Sequence, residues 1–339
     1  MGPIIVYFRR ILVSISFFLG IEKLLVYLKR PGYLILNYHG VVKTLRPELS
    51  KNHMSVEQFE AHLKYYSENY EVIPLESLIS LVNEGVKPSR PTVAITFDDG
   101  YENNFSNAFP LLKQYNFPAT IFVTAQAISK PGEALWYDAL DICRNEIDWK
   151  SIIRPDSGIN FSDDSANSTA ANFEQFKKRI KSLTADKKQA LFMQLFPGTL
   201  LADALSKAPS EYWKLLNPEQ IKELSTSGII EIGSHGLSHT NLDLLSEEAL
   251  KIELRESKIL LEQACASPVI SIAFPDGAYT NLVKTACMEQ SYKTMLAVNY
   301  RCADDDEDSN IFERFSIPNT SITAGVMTAV RLAFLKKGN

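Results

Sequence analysis

Two carboxylates stand side by side in the stretch AITFDDGYENN, Ala94 to Asn104, where an apolar, β-like run meets a glycine. Adjacent like charges raise the cost of ionising each other, so Asp98 and Asp99 point to something nearby that wants both. Of the chain's five histidines, His235 and His239 sit together in GSHGLSHTNL and His39 lies in NYHG. A catalytic zinc takes three protein ligands from imidazole nitrogens and carboxylate oxygens and keeps one position open. Two histidines and one aspartate satisfy that rule. The metal would cancel the charge of one aspartate and leave its neighbour ionised as a base. Position 236 is glycine, not glutamate, which excludes the H-E-x-x-H metalloprotease pattern.

Each piece taken alone has a plainer meaning. A D-D-G is usually a turn, and an H-x-x-x-H is usually two surface histidines. What lifts the combination above chance is placement, because each group follows a β-rich run. YLILNYHG (33–40), PTVAITFDDG (91–100) and IIEIGSHGLSH (229–239) read as strand into loop, as do ATIFVTA and PVISIAFPDGAY. Between them lie helical runs: VEQFEAHLKYYSENY (56–70), NNFSNAFPLLKQYN (103–116), NPEQIKELSTSG (217–228), SEEALKIELRESKILLEQA (246–264) and NLVKTACMEQS (281–291). Asn217 and Pro218 are a helix-start signal and Gly228 a stop. About seven such β/α units imply parallel strands with helices outside, all five residues then projecting from one end of the sheet. His53 and His62 read as ordinary, His62 on a mixed polar helix face.

Between Ser129 and Leu216 the alternation is interrupted by two helical runs, LWYDALDICRN and ANFEQFKKRIKSLTADKKQALFMQL. The polar PDSGINFSDDSANSTA between them reads as a loop, and its Asn167-Ser168-Thr169 sequon as chance. With 339 residues, 45% hydrophobic and 22% charged, the chain can build a large core. A net charge of −5 without a dense basic run beyond the N-terminus excludes nucleic acid as an expected partner. The four cysteines form no C-x-x-C pair and read as reduced thiols.

Residues 1–30 form an apolar and basic N-terminal segment. Its unbroken apolar run, Ile11 to Ile21, would reach only about 16 Å as a helix against a hydrocarbon core of about 30 Å. Two readings carry similar weight: a helix packed on the domain, or an interfacial helix making peripheral membrane contact through residues 3–30. The expected location is cytoplasmic, at the inner face of the membrane in the second reading. Export with an uncleaved anchor is the alternative.

TFDDGY, GSHGLSHTNL and FPDGAY resemble the first three motifs of the polysaccharide deacetylases, the NodB-homology domain of carbohydrate esterase family 4. The resemblance runs from about Tyr33 to Pro318, within a domain of residues 31–339 that carries the helical insertion 130–216. It implies a distorted (β/α)7 barrel, a divalent metal, commonly zinc, and removal of N-acetyl groups from an amino sugar in a polysaccharide or lipid-linked glycan. By position, Asp98 becomes the general base and Asp99, His235 and His239 the metal ligands. The backbone N–H of Asp276 would face the oxyanion and Tyr101 the substrate.

Departures from the family pattern are equally informative. SIAFPDG lacks the arginine that usually orients the base and has Asp276 in place of a tyrosine. No Trp follows Trp213 and no His follows His239, so the usual Asp-Trp motif and late acid histidine are missing. NYHG matches a branch in which an early Tyr-His supplies the acid, which makes His39 the expected acid and Arg314, in FERFSIPN, the replacement arginine. Deformylation or O-deacetylation of a glycan is the nearest alternative chemistry. A carbohydrate-binding or scaffolding protein without catalysis is the alternative class.

Overall fold

A computed structural model describes residues 32–146, 166–196, 199–318 and 330. The N-terminal segment considered above lies outside them. Among the described residues no helix is long and apolar enough to cross a membrane. The strands are β1 (Tyr33–Tyr38), β2 (Gly40–Val42), β3 (His53–Ser55), β4 (Glu71–Val72), β5 (Thr92–Phe97), β6 (Ala119–Val123), β7 (Ile230–Ser234), β8 (Ser271–Ala273), β9 (Thr294–Ala297), β10 (Ile311–Glu313) and β11 (Phe315–Ser316). The helices are α1 (Val56–Asn69), α2 (Leu75–Asn83), α3 (Phe109–Tyr115), α4 (Gln126–Ser129), α5 (Trp136–Glu146), α6 (Ala166–Lys181), α7 (Ala185–Leu195), α8 (Leu200–Lys207), α9 (Pro218–Ser225), α10 (Glu247–Cys265) and α11 (Asn281–Glu289).

Nine strands share one sheet in the order β10-β9-β8-β7-β6-β5-β1-β11, with β4 on the start of β5. All its pairings are parallel. The two ends of that order are consecutive in the chain: β10 pairs with β9, β11 pairs with β1, and only Arg314 separates them. One segment thus bridges both edges, and the sheet is a nearly closed barrel. Its seven positions are β1, β5, β6, β7, β8, β9 and the β10/β11 segment, the (β/α)7 architecture that the alternation predicted.

Strand alternation sorts the barrel interior into layers. Ile35, Ala94, Phe122, Ala273, Leu296 and Phe312 form an apolar layer, into which α2 inserts Leu75, Leu78 and Ile79. Two residues further along their strands, Asn37, Thr96 and Arg314 are buried in a polar layer above it, which Asp98 joins. The barrel is therefore plugged at the strand N-termini and polar at their C-termini. Outward residues such as Leu36, Ile95 and Ile121 pack in the main core with Phe59 and Leu63 of α1 and Leu250 and Leu254 of α10.

Local signals account for most element boundaries. Asn217 and Gln220 form a capping box at the start of α9, with Pro218 in the first turn, and Ser55 with Gln58 does the same for α1. The run 103–116 is not one regular helix, because a π-helical turn, Asn104–Ala108, precedes α3. There Asn104 Nδ2 donates to the His39 carbonyl and Asn107 Nδ2 to that of Val41, while the Val41 N–H donates to Asn103 Oδ1. Such wide turns are favoured where side chains must reach a specific target. His62 is buried rather than on a polar face, with Nδ1 3.2 Å from the Tyr38 hydroxyl.

The insertion forms α5 to α8 around its own core, in which Phe173, Phe176 and Ile180 meet Leu140, Phe196 and Leu205. Two expectations are corrected here. The 171–195 stretch is two helices, α6 and α7, broken near Ser182, and α6 starts at Ala166, so the sequon lies in a first helical turn. Asn and Ser compete with the backbone for hydrogen bonds and are well suited to a helix start, which a polar count alone reads as loop. All four cysteines are free.

Candidate active site

Parallel strands deliver the residues to one end of the barrel. Asp98 and Asp99 follow β5, His235 follows β7, Asp276 lies in a turn after β8, and His39 follows β1. All of them and His239 line a cavity of about 460 Å³. The insertion supplies its opposite wall, including Trp136 and Tyr137 from α5 and Lys177 and Lys181 from α6.

Asp99, His235 and His239 form a close cluster, with potential ligand atoms all within 4.8 Å of one another. His235 Nε2 is 3.5 Å and His239 Nε2 3.2 Å from Asp99 Oδ1. Neither approach is a hydrogen bond, since both Asp99 oxygens are buried without a hydrogen-bond partner among the described residues. The His235 Nδ1 lies 2.9 Å from the Ala273 carbonyl, which can only accept, so a neutral ring turns the lone pair of Nε2 toward the carboxylate. Two imidazole nitrogens and an anion converge on one point, an arrangement that suits a cation. Burial pushes the Asp99 carboxyl up, but the two imidazoles outweigh it and hold it well below its ordinary value. For His235 burial pulls down, and Asp98 and then Asp99 pull the ring above its usual value, the same attraction any cation would feel.

The backbone of this cluster is special at several points. Asp99 (φ 77°) and His239 (φ 51°) are left-handed, a conformation that Asp and His tolerate better than most side chains. Gly100 (φ 78°) packs so tightly on β6 that a Cβ there would lie 2.8 Å from Val123 Cγ1. That close approach is why the D-D pair is followed by glycine.

Asp98 lies outside the cluster of Asp99, His235 and His239. Arg314 grips it with two parallel bonds, Nη1 to Oδ1 at 2.7 Å and Nη2 to Oδ2 at 2.8 Å, and Asn37 Nδ2 donates to Oδ2 at 3.0 Å. The fork is itself braced, by Asn37 Oδ1 at 3.2 Å and by the Phe122 ring 5.5 Å away. Burial raises the Asp98 carboxyl, Arg314 and then His235 lower it, and the sum lies below its ordinary value. With Oδ2 accepting two bonds and Oδ1 one, Oδ1 is the oxygen with a lone pair to spare.

His39 is half-buried at the cavity wall, on the loop pinned by Asn103, Asn104 and Asn107. Asp276 is left-handed (φ 56°) and its carboxylate pairs with Lys181 of the insertion at 2.7 Å. Tyr101 is a correction. It does not line the cavity but is fully buried, donating to Asp138 Oδ2 at 2.8 Å with its ring against His53. The left-handed Asp99 and Gly100 turn the chain back under the site before it reaches Tyr101, which braces the neighbouring Tyr137.

Four residues of the site were not singled out in the sequence. Asn37 is the one amide in an otherwise apolar strand, a signal that was available. Glu253 of α10 is buried and accepts from the N–H groups of Leu237 and Ser238, fixing the loop between His235 and His239. Trp136 and Tyr137 carry no motif; only the fold of the insertion brings them to the cleft, where Tyr137 meets His239 edge-on at 5.1 Å.

Comparisons with known proteins agree with this fold. The polysaccharide deacetylase family model matches residues 85–295, and the chain belongs to that family. YxkH of Bacillus subtilis (strain 168) is 37% identical over 102 residues, 30% of this chain and 35% of that protein. The poly-beta-1,6-N-acetyl-D-glucosamine N-deacetylase of Staphylococcus aureus is 33% identical over 107 residues, 28% of this chain and 37% of the relative. The chain thus spans little more than a third of the length of the curated relatives it matches. Among solved structures, the Streptococcus pyogenes deacetylase PplD in complex with acetate superposes with a TM-score of 0.56 at 17% identity, covering 88% of this chain and 97% of the other. IcaB from Ammonifex degensii gives 0.56 at 16% identity, covering 89% and 98%. At that identity the likeness is one of fold.

Proposed function

We propose that the chain is a metal-dependent N-deacetylase of a glycan containing N-acetylated amino sugars. The observation that carries this reading is the pairing of two unlike carboxylates in one cleft: Asp99 buried among imidazoles with no hydrogen bond from the described residues, and Asp98 held by Arg314 and Asn37. The donor set of Asp99, His235 and His239 suits a divalent cation such as Zn²⁺, which when bound would supply Lewis-acid polarisation and acidify water. The orphaned oxygens of Asp99 are what such an ion would satisfy.

The chain's own residues then divide the proton transfers. Asp98, kept ionised by Arg314, accepts a proton at Oδ1 from a water that adds to the acetyl carbonyl. The backbone N–H of Asp276 serves the developing oxyanion. As the C–N bond breaks, His39 gives a proton to the departing sugar amine, and acetate and the free amine leave. Arg314 positions Asp98 without touching substrate. Tyr137 and Trp136 offer aromatic surface to a sugar ring in the same cavity. The poly-N-acetylglucosamine named for one relative is the first substrate to try.

Acetate release tests the reading. Metal-loaded protein incubated with β-1,6-linked N-acetylglucosamine oligomers should release acetate and leave free amines, and chelated protein should not. N-formylated and O-acetylated sugars as parallel substrates test deformylation and O-deacetylation. Full metal loading with no acyl release from any of them would overturn it.

A further inference from the structure

A second cavity, of about 480 Å³, lies in the insertion between α5, α7 and α8 and shares Trp136 with the catalytic cleft. Its volume is ordinary for a small-molecule site, about 300–1,000 Å³. Phe192, Phe196, Leu201 and Leu205 line it, and Met193, 69% exposed, stands among them. Into this apolar surface is set one buried cation. Lys188 is 4% exposed, and its Nζ has no hydrogen-bond partner among the described residues. The Trp136 ring, 4.8 Å from Nζ, faces it, and Trp136 Nε1 is likewise buried without an acceptor.

Ammonium groups are rarely left dry, because losing water without an ion or acceptor in exchange is costly. Burial pulls the Lys188 amine down to about 8, which keeps it mainly protonated at neutral pH. Asp276 and Glu253 favour that charge from a distance and Lys181 opposes it, but none of them bonds to Nζ. Two exposed acids, Asp186 and Glu133, also line the cavity, Glu133 lying 4.0 Å from Lys130. The cavity, whose lining also includes Gln126, Gln189 and Ser238, therefore holds two buried donors without partners among the described residues, beside hydrocarbon walls.

The geometry points to a binding site for a single-chain amphiphile with an oxyanion head, the head on Lys188 Nζ and Trp136 Nε1 and the chain along Phe192, Phe196, Leu201 and Leu205. Apolar walls alone would accept any hydrophobe; the buried donors select one ending in a phosphate monoester or carboxylate. This inference is independent of the deacetylase reading, and its test measures binding, not turnover.

Isothermal titration of the full chain with dodecyl phosphate, below its micelle concentration, should give one site per chain. Inorganic phosphate over the same range should give none. Dodecanoate in its place distinguishes a carboxylate from a phosphate head, and one-to-one binding of either supports the site. Lys188→Met should weaken binding at least tenfold with an unchanged or higher Tm, since it removes a buried charge. Met193→Glu, at an exposed position, should weaken it while leaving Lys188 in place. Equal affinity in wild type and Lys188→Met, equal binding of dodecyl maltoside, phosphate binding without the chain, or no binding of either amphiphile would overturn the proposal.

Discussion

At the scale of single residues, the site rests on giving two adjacent aspartates different partners. Asp98 is paired with Arg314 and accepts a hydrogen bond from the Asn37 side chain, and Asp99 has no hydrogen bond among the described residues and faces two imidazoles. Removing Arg314 tests the first half. Arg314→Met leaves a buried, ionised carboxylate without its counter-charge and should cost about 3–5 kcal/mol of stability in urea unfolding. Arg314→Lys keeps the charge but not the fork, so it should fold better than Arg314→Met and still turn over more slowly than wild type. His39 tests the proton account: His39→Ala should keep its metal and lower kcat by about 10²–10⁴-fold. A near wild-type rate would assign His39 to structure. At this scale the sequence was legible wherever residue type and spacing carry the chemistry, as in D-D-G and H-x-x-x-H. That Arg314 should reach the base Asp98 came only through the family resemblance and not from any local pattern, because that contact spans 216 positions and depends on barrel closure. Tyr101 shows the opposite failure, a residue beside a motif whose side chain the backbone turn carries away from it.

At the scale of elements, the loop GSHGLSH keeps its shape through a helix that follows it. Glu253 accepts two backbone N–H groups there, Leu237 at 2.9 Å and Ser238 at 2.8 Å. Glu253→Ala strands both donors and frees the loop that aims His235 and His239. It should weaken metal affinity about 10–100-fold in a competitive chelator titration, as removal of a supporting partner does. Unchanged affinity would mean that the strand ends alone fix the ligands. Helix starts and strand runs were readable because capping and alternation are local, as at Asn217 and along β5. The π-helical turn at Asn104–Ala108 was not, since its asparagines answer to the distant β1–β2 segment.

At the scale of the whole molecule, barrel closure falls on a segment interrupted by Arg314, so fold and site share one residue. Burial of histidines also ties stability to pH. His62 is pulled down to about 4 and His53 to about 3, both by burial. Each folded-state value is below the unfolded one, near 6.5, so the unfolded chain takes up protons first as pH falls. That part of the stability is intact above about pH 6.5 and is lost on acidification toward pH 4. His62→Gln should remove one contribution, making the loss between pH 7 and 4.5 smaller by about 2 kcal/mol. Equal losses in both proteins would show that His62 does not titrate in this way. The number of β/α units and the end of the barrel that carries the site were legible from alternation; the cleft wall built by the insertion was not, because it has no periodic register with the barrel. The central claim, that Asp99 holds a metal while Asp98 moves a proton, is tested most directly by metal content and acetate release measured together in wild type, Asp98→Asn and Asp99→Asn. One divalent ion per chain in wild type and Asp98→Asn, little or none in Asp99→Asn, and acetate from wild type alone is the predicted result. Acetate release by Asp99→Asn without metal, or equal metal loss in both variants, would contradict it.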